Sequence, residues 1–333
     1  MVKHTRWLVV WTLSATISIG GWLVFECYWR EAGYAPSVMD SIDLWSLNRA
    51  RAVKASPPLR VALLGASRIQ FGLSPAVFRD EARAMNLAVD PIMLAVNGNY
   101  PLAALRDLAE DEKFVGVAVV GIDARGMDKK VWEMQGNYVH HYHHDWSPSR
   151  ELHRRLLTRL QTHAIAARPD FSVITLAKRG IDHLGPPQKE YVTFDRDRSG
   201  GSDYQRGDIA AIGNARVAEL ANYYRLNRPP PPIAWLNETH DIIRWVKRIN
   251  ARGGKVVFYR EPVSSGHIEL DEANFPRAEY WDRLAAIFPG LMLDFHDYPT
   301  LLIDTPDTSH IDIRDIDRHT RALVRVLRAK QVL

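Results

Sequence analysis

Ser67, Asp307 and His310 are the residue types of a nucleophile, an orienting carboxylate and a base. A serine hydroxyl attacks an ester carbonyl only when an imidazole takes its proton, and the imidazole works best when a carboxylate fixes its tautomer. Asp307-Thr308-Ser309-His310 places Asp and His on one turn, so that the carboxylate can hold one ring nitrogen while the other faces a serine. Gly65-Ala66-Ser67-Arg68 offers such a serine at a bend, with a backbone N–H free for an oxyanion. Singly, each has a plainer use: Ser67 as a turn or capping serine, Asp307 with Ser309 as the cap of the helix that follows. Their joint placement points to acyl transfer through an acyl-serine.

Each motif follows an apolar run that reads as a strand. Arg60 to Gly65 is short, apolar and ends in glycine. Ser74 then caps a helix that has Pro75 in its first position and runs to about Met85. Ile92 to Val96 predicts a second strand, ending in Asn97-Gly98-Asn99, and Pro101 opens a helix with Leu102, Leu105 and Leu108 on one stripe. Val115 to Ile122 predicts a third strand. The alternation resumes with a helix over 237–252, a strand Lys255 to Tyr259, a helix over 276–287, a strand Leu291 to Phe295 and a last helix from Asp312. Ile313, Ile316, Thr320, Leu323, Val324 and Leu327 form the buried stripe of that last helix. The pattern predicts an α/β fold, a three-layer α/β/α sandwich around a central parallel sheet, with its chemistry at the carboxyl ends of the strands. Residues 124–235 interrupt it as a helical insertion, read as a lid or subdomain. It holds an amphipathic helix with Leu152, Leu156, Leu157 and Leu160, a Gly/Asp/Arg-rich stretch over 195–208, a helix over 209–226 and the stiff Pro229 to Pro232 run.

The 333 residues are 46% apolar, 25% charged and 10% aromatic, with one cysteine. That charge content excludes a polytopic membrane protein, ten Trp exclude a mainly disordered chain, and a disulfide framework is impossible. Net charge is +4, half of it in residues 1–30, where Lys3, Arg6 and Arg30 stand against Glu26. Nothing there suggests nucleic-acid binding. Trp7 to Phe25 is uncharged for 19 residues, which as a helix spans roughly 28 Å, about one hydrocarbon core. Trp7, Trp11, Trp22, Tyr28 and Trp29 supply interfacial rings, and the cations before the run predict a cytoplasmic N-terminus with the bulk of the chain outside. Val24-Phe25-Glu26-Cys27 offers no small-x-small cleavage site and a poor lipoprotein cysteine, so the segment reads as an uncleaved signal anchor. The expected division is a tail and transmembrane anchor over 1–30, a linker over 31–58 with a helical patch at Ile42 to Ala52, and a domain over 59–333 carrying the insertion.

The residues after the strands resemble the SGNH (GDSL-like) hydrolase superfamily, in the order that family uses. Gly65-Ala66-Ser67 is similar to its first block, Gly98 to its second, and Asp307 with His310 to its last. The resemblance covers about 60–123 and 237–330 and implies a flavodoxin-like sandwich with Ser67 as nucleophile, His310 as base, Asp307 as orienter and Gly98 as an oxyanion donor. The third block differs: where the family places an oxyanion Asn, this chain has Gly121-Ile122-Asp123. Asp123 would repel an oxyanion, so another donor, such as Asn99, serves, or activity is weak. The anchored form further resembles SGNH-like proteins of cell-envelope O-acylation. That implies an esterase or O-acyltransferase on an envelope polysaccharide or lipid, partnered by the bilayer, a glycan and a polytopic acyltransferase or polysaccharide synthase. The rival reading is a non-catalytic glycan-binding or assembly subunit.

Arg68 and Arg125 either bind an anionic group at the rim or form salt bridges. His140, His141, His143, His144 and Asp145 carry metal-ligand chemistry but no structural-zinc spacing, and read as a polar lid segment, with no metal or cofactor expected. Trp132, Tyr138, Tyr142 and Trp146 stack on sugar rings or form the insertion's own small core.

Overall fold

The computed structural model of the protein describes residues 2–55, 57–187 and 192–333, with side chains from residue 6 onward, so that Lys3 lies outside the described side chains. In chain order the first half holds α1 (Val2–Glu31), α2 (Ile42–Ala52), β1 (Leu59–Leu64), α3 (Ser67–Gly72), α4 (Pro75–Ala84), β2 (Val89–Met93), α5 (Leu102–Glu110), β3 (Val117–Gly121), α6 (Gly136–His144) and α7 (Pro148–His163). The second half holds α8 (Val173–Ile181), β4 (Val192–Phe194), β5 (Gly200–Ser202), α9 (Ile209–Leu226), α10 (Pro232–Glu238), α11 (His240–Ala251), β6 (Lys255–Arg260), α12 (Gly266–Asn274), α13 (Trp281–Ala285), β7 (Leu291–Asp294) and α14 (Ile316–Ala329). The chain forms two compact units, residues 1–39 with 152–190, and residues 40–151 with 191–333.

The larger unit is built on a five-stranded parallel sheet in the order β2-β1-β3-β6-β7, with Ala62 beside Ile92, Leu63 beside Val119, Val120 beside Phe258 and Tyr259 beside Leu293. Because side chains alternate along a strand, each central strand feeds two cores. Ala62, Leu64, Ala118, Val120, Val256 and Phe258 pack with Trp45, Leu105, Leu108, Trp245 and Ile249 from α2, α5 and α11. Val61, Leu63, Val117, Val119, Val257 and Tyr259 pack with Phe78, Leu323 and Leu327 from α4 and α14. These are the three layers expected of the α/β sandwich. Strand order reverses between β1 and β3, which opens a crevice at their carboxyl ends.

Several bounds differ from those the sequence predicts. β2 begins at Val89 rather than Ile92, and Pro91 is tolerated because the strand lies on the sheet edge, where a missing N–H costs no ladder bond. The chain still pairs beyond Met93, through Leu94 N to Leu63 O and Val96 N to Gly65 O. The last helix starts at Ile316, because Asp312 accepts from Arg314 N and Ile313 N donates to Ser202 O, holding that segment out of the helix. Ile313 is accordingly 41% exposed and does not belong to the buried stripe. The helix read over 237–252 is two, α10 and α11, meeting at Thr239, and the helix read over 276–287 shrinks to α13, preceded by an unanticipated α12.

The smaller unit contains α1, of which Arg6–Glu31 is long and apolar enough to cross a membrane. Its C-terminal end is tied down within the unit: Glu26 Oε1 accepts from Ala166 N at 2.8 Å, Arg30 Nη2 donates to His163 O at 2.9 Å, and the Trp29 and Phe171 rings lie 4.9 Å apart. α7 turns Leu152, Leu156 and Leu160 outward. Its buried face is polar instead, because Gln161 accepts from Met39 N and Arg154 donates to Met39 O, serving backbone groups that no strand or helix satisfies.

Candidate active site

β1 ends at Leu64 and the chain turns at once into α3, with Ser67 as its first residue. The turn requires glycine: a Cβ on Gly65 would stand 2.4 Å from Ile69 Cγ1. Ser67 Oγ lies 2.7 Å from His310 Nε2, and His310 Nδ1 lies 3.0 Å from Asp307 Oδ2. Asp307 also folds its own loop, because its Oδ1 accepts from Ser309 N at 3.0 Å and His310 N at 2.7 Å. The residues expected to act together are thus in one hydrogen-bonded chain, assembled from the loop after β1 and the loop before α14.

The electrostatics suit proton transfer. Asp307 is held below the usual carboxylate range: burial works against ionisation, but the His310 bond, the Tyr204 hydroxyl and the Arg216 charge outweigh it. An ionised Asp307 obliges His310 Nδ1 to donate, which leaves Nε2 to accept the Ser67 proton. Burial lowers His310 below the usual imidazole value, Arg216 and Arg68 push the same way, and the Asp307 bond only partly offsets them. The ring is therefore neutral near pH 7, the form a base needs.

A cavity of about 380 Å³ opens over Ser67 and His310 and is lined also by Gly98, Asp123, Arg125 and Tyr223. Gly98 has φ of +73°, a conformation that favours glycine and brings the loop after β2 to the rim. Asn99 does not line the cavity; its side-chain amide donates to Asn97 O at 2.9 Å. Asp123 is occupied too. Its Oδ1 accepts from Gly126 N at 2.7 Å, and its Oδ2 takes Arg68 Nη1 at 3.3 Å and Arg125 Nη2 at 3.4 Å. Burial opposes its charge, yet the two arginines and the Gly126 bond keep it ionised. Arg68 is fully committed inside the protein, with Nε on Ser309 Oγ and Nη2 on His267 Nε2 at 2.8 Å. Arg68 only donates, so His267 must accept as a neutral ring, in keeping with burial pushing it down to about 2. Arg125 sits between Tyr100, which accepts from its Nε at 2.6 Å, and the rings of Tyr223 and Tyr224.

Sequence reasoning missed several residues of this site. Gln135 donates to both Gly65 O and Asn99 O at 3.0 Å, tying together the loops after β1 and β2. Arg216 of α9 pairs with Asp307, and Glu261, pushed up to about 7 by burial, stands in the cavity wall. Glu261 directly follows β6, so the carboxyl-edge rule that singles out Ser67 also reaches it. Gln135, Arg216 and His267 sit inside or beside helices and carry no local signal.

The histidine run diverges. His141 Nδ1 lies 3.1 Å from Ser46 Oγ and its Nε2 3.2 Å from Asp43, while His143 Nε2 reaches Asp107 at 2.6 Å. Among the described residues no three His, Cys, Asp or Glu side chains are placed to share one ion. Trp132, Tyr138 and Tyr142 pack on the core under α5, α11 and α2, Trp132 with its ring 5.3 Å from that of Trp245.

No family model and no curated protein matches the sequence. Among solved structures, a crystal structure of TesA is similar with a TM-score of 0.35 and 11% identity, over 82% of this chain and 99% of that chain. A likeness of that size transfers neither activity nor site roles.

Proposed function

We propose that this chain is an SGNH-like serine esterase or O-acyltransferase, anchored in a bacterial cytoplasmic membrane by α1 with its N-terminus inside and its larger unit outside. The observation that carries the reading is the Ser67–His310–Asp307 chain, opening on a cavity large enough for an acyl ester. Ser67 Oγ attacks the ester carbonyl carbon as His310 Nε2 takes its proton. The carbonyl π bond becomes an oxyanion, received by the N–H groups of Ser67 and Gly98. Collapse expels the alcohol, which takes its proton from His310 and leaves acyl-Ser67. Water or a sugar hydroxyl, deprotonated by the same ring, then releases the acid or the new ester. The ester is one carried by an envelope polysaccharide or lipid, and the membrane partner is a polytopic acyltransferase or a polysaccharide synthase. A fluorophosphonate probe tests the step: it should label wild-type protein and leave Ser67→Ala unlabelled, and an unlabelled wild type removes the esterase reading.

One observation favours the rival, a non-catalytic glycan-binding subunit. Asp123 stands in the wall of the same cavity as an ionised carboxylate, which only accepts and so offers an oxyanion no N–H. That reading gains if Ser67→Ala still supports envelope-glycan acylation in cells.

A further inference from the structure

α8 and the turn after it carry their apolar side chains outward. Val173 is 80% exposed, Ile174 82%, Ile181 77% and Leu184 61%. At helical spacing Val173, Ile174 and Ile181 share one stripe, while Thr175, Leu176 and Arg179 lie on the half-buried side. Arg179 closes the turn by donating to Gly185 O, Leu184 O and Pro186 O, which holds Leu184 near the end of that stripe.

Both ends of this excursion are pinned to the foot of α1. At its start the Phe171 ring packs 4.9 Å from Trp29 and 5.0 Å from Tyr34. At its end the Tyr34 hydroxyl donates to Pro187 O at 2.5 Å. Residues 29–34 begin four positions after Phe25, where the uncharged run ends, the depth at which a bilayer's head groups begin. A nine-residue helix is about 14 Å long, so α8 stays within that reach of the head groups.

We infer that α8 is a membrane-interface helix, seated in the head-group layer of the bilayer crossed by α1, with Val173, Ile174, Ile181 and Leu184 at the acyl boundary. The inference rests on α1 being a transmembrane anchor and on nothing in the catalytic reading. Lipid is the occupant because the segment that carries the stripe is fastened at both ends to residues 29–34, just beyond the uncharged run of α1. An amphipathic helix binds such a layer through the apolar face it buries.

The test uses the full chain with Cys27→Ser and a single cysteine at 174 or 181, labelled with an environment-sensitive dye. The protein is reconstituted in phosphatidylethanolamine and phosphatidylglycerol vesicles. Expected is quenching by lipids brominated high on their acyl chains, with iodide quenching at least about fivefold weaker than for the free dye adduct. Iodide quenching equal to that of the free adduct overturns the inference. Protection from both quenchers also overturns it, since the stripe is then covered by protein. Release of the chain by alkaline carbonate removes the anchor and the α8 assignment with it, whereas retention with an iodide-accessible label removes α8 alone.

Discussion

Arg216 Nε stands 2.5 Å from Asp307 Oδ2, the oxygen that also faces His310 Nδ1. The carboxylate proposed to orient the base is therefore shared with a cation supplied by α9, inside the insertion. Arg216 is half-buried, and its charge lowers His310 as well as Asp307.

Removing that cation should change the pH profile rather than the chemistry. In Arg216→Gln, His310 rises toward its ordinary value, so the acid limb of kcat/KM moves to higher pH. The plateau rate is kept, because Arg216 is outside the Ser67–His310 contact. In wild type the limb lies below the ordinary imidazole value, since burial and Arg216 both lower the ring. A pH–rate profile with a small acyl ester checks both. An unmoved limb in the variant removes Arg216 from any influence on the base.

Ser67→Ala and His310→Ala should each abolish ester turnover, to about one part in a million of wild type. Asp307→Ala should cost about ten-thousand-fold, because an untethered imidazole still acts as a base part of the time. Asp307 also receives two backbone N–H groups of its loop, so this variant loses stability as well. Asp307→Asn keeps an oxygen acceptor and separates the two effects. Kinetics and a Tm on each protein decide the matter: full activity in Ser67→Ala would end the acyl-serine mechanism.

Asp123→Asn asks whether that carboxylate opposes an oxyanion or holds the wall together. Asp123 is ionised and buried between Arg68 and Arg125. An amide in its place leaves two buried cations without the carboxylate that ion-pairs both, which costs on the order of 3 kcal/mol. The expected outcome is a lower Tm, read by thermal denaturation. Increased ester turnover at unchanged Tm would mean instead that Asp123 repels charge developing at Ser67.

The strands and the loops after them were legible because a buried strand needs an unbroken apolar run and a sheet edge needs a turn. Gly65, Ser67, Gly98 and Asp307 all follow from that logic, and the five-stranded order is the one a doubly wound sheet with these crossovers adopts. The insertion was legible only in part: the helix over 209–226 is α9, but which way α7 faces was not legible. Leu152, Leu156 and Leu160 have the spacing of a core stripe yet face outward, because α7 spends its inner face on the backbone at Met39. Periodicity shows that a helix has an apolar face, and cannot show whether that face meets core or membrane. Arg216, Gln135 and His267 lie beyond sequence reasoning for another reason: each contributes through a long-range contact, with no neighbour in sequence to mark it.

Acid should destabilise this fold through its buried histidines. His319 is pushed down to about 3 and His267 to about 2, in both cases chiefly by burial, and His310 is lowered as well. All three values lie below the roughly 6.5 of an unfolded chain, so the unfolded state takes protons that the native state refuses. Their contribution is complete above about pH 6.5 and declines as pH falls below it. Glu261 works in the opposite sense, since its folded value of about 7 lets the native state hold a proton that the unfolded chain releases. Asp271, also raised by burial, works the same way as Glu261, so three histidines losing against two carboxyls gaining leaves a net fall between about pH 6.5 and 5, on the order of 1 kcal/mol per pH unit. Urea midpoints across that range measure the slope. His319→Phe, which removes one of the three, should flatten it by about 1.4 kcal/mol per pH unit, whatever the variant's stability at neutral pH. A slope unchanged in His319→Phe would mean that the His319 ring is protonated inside the native core, against the burial that surrounds it.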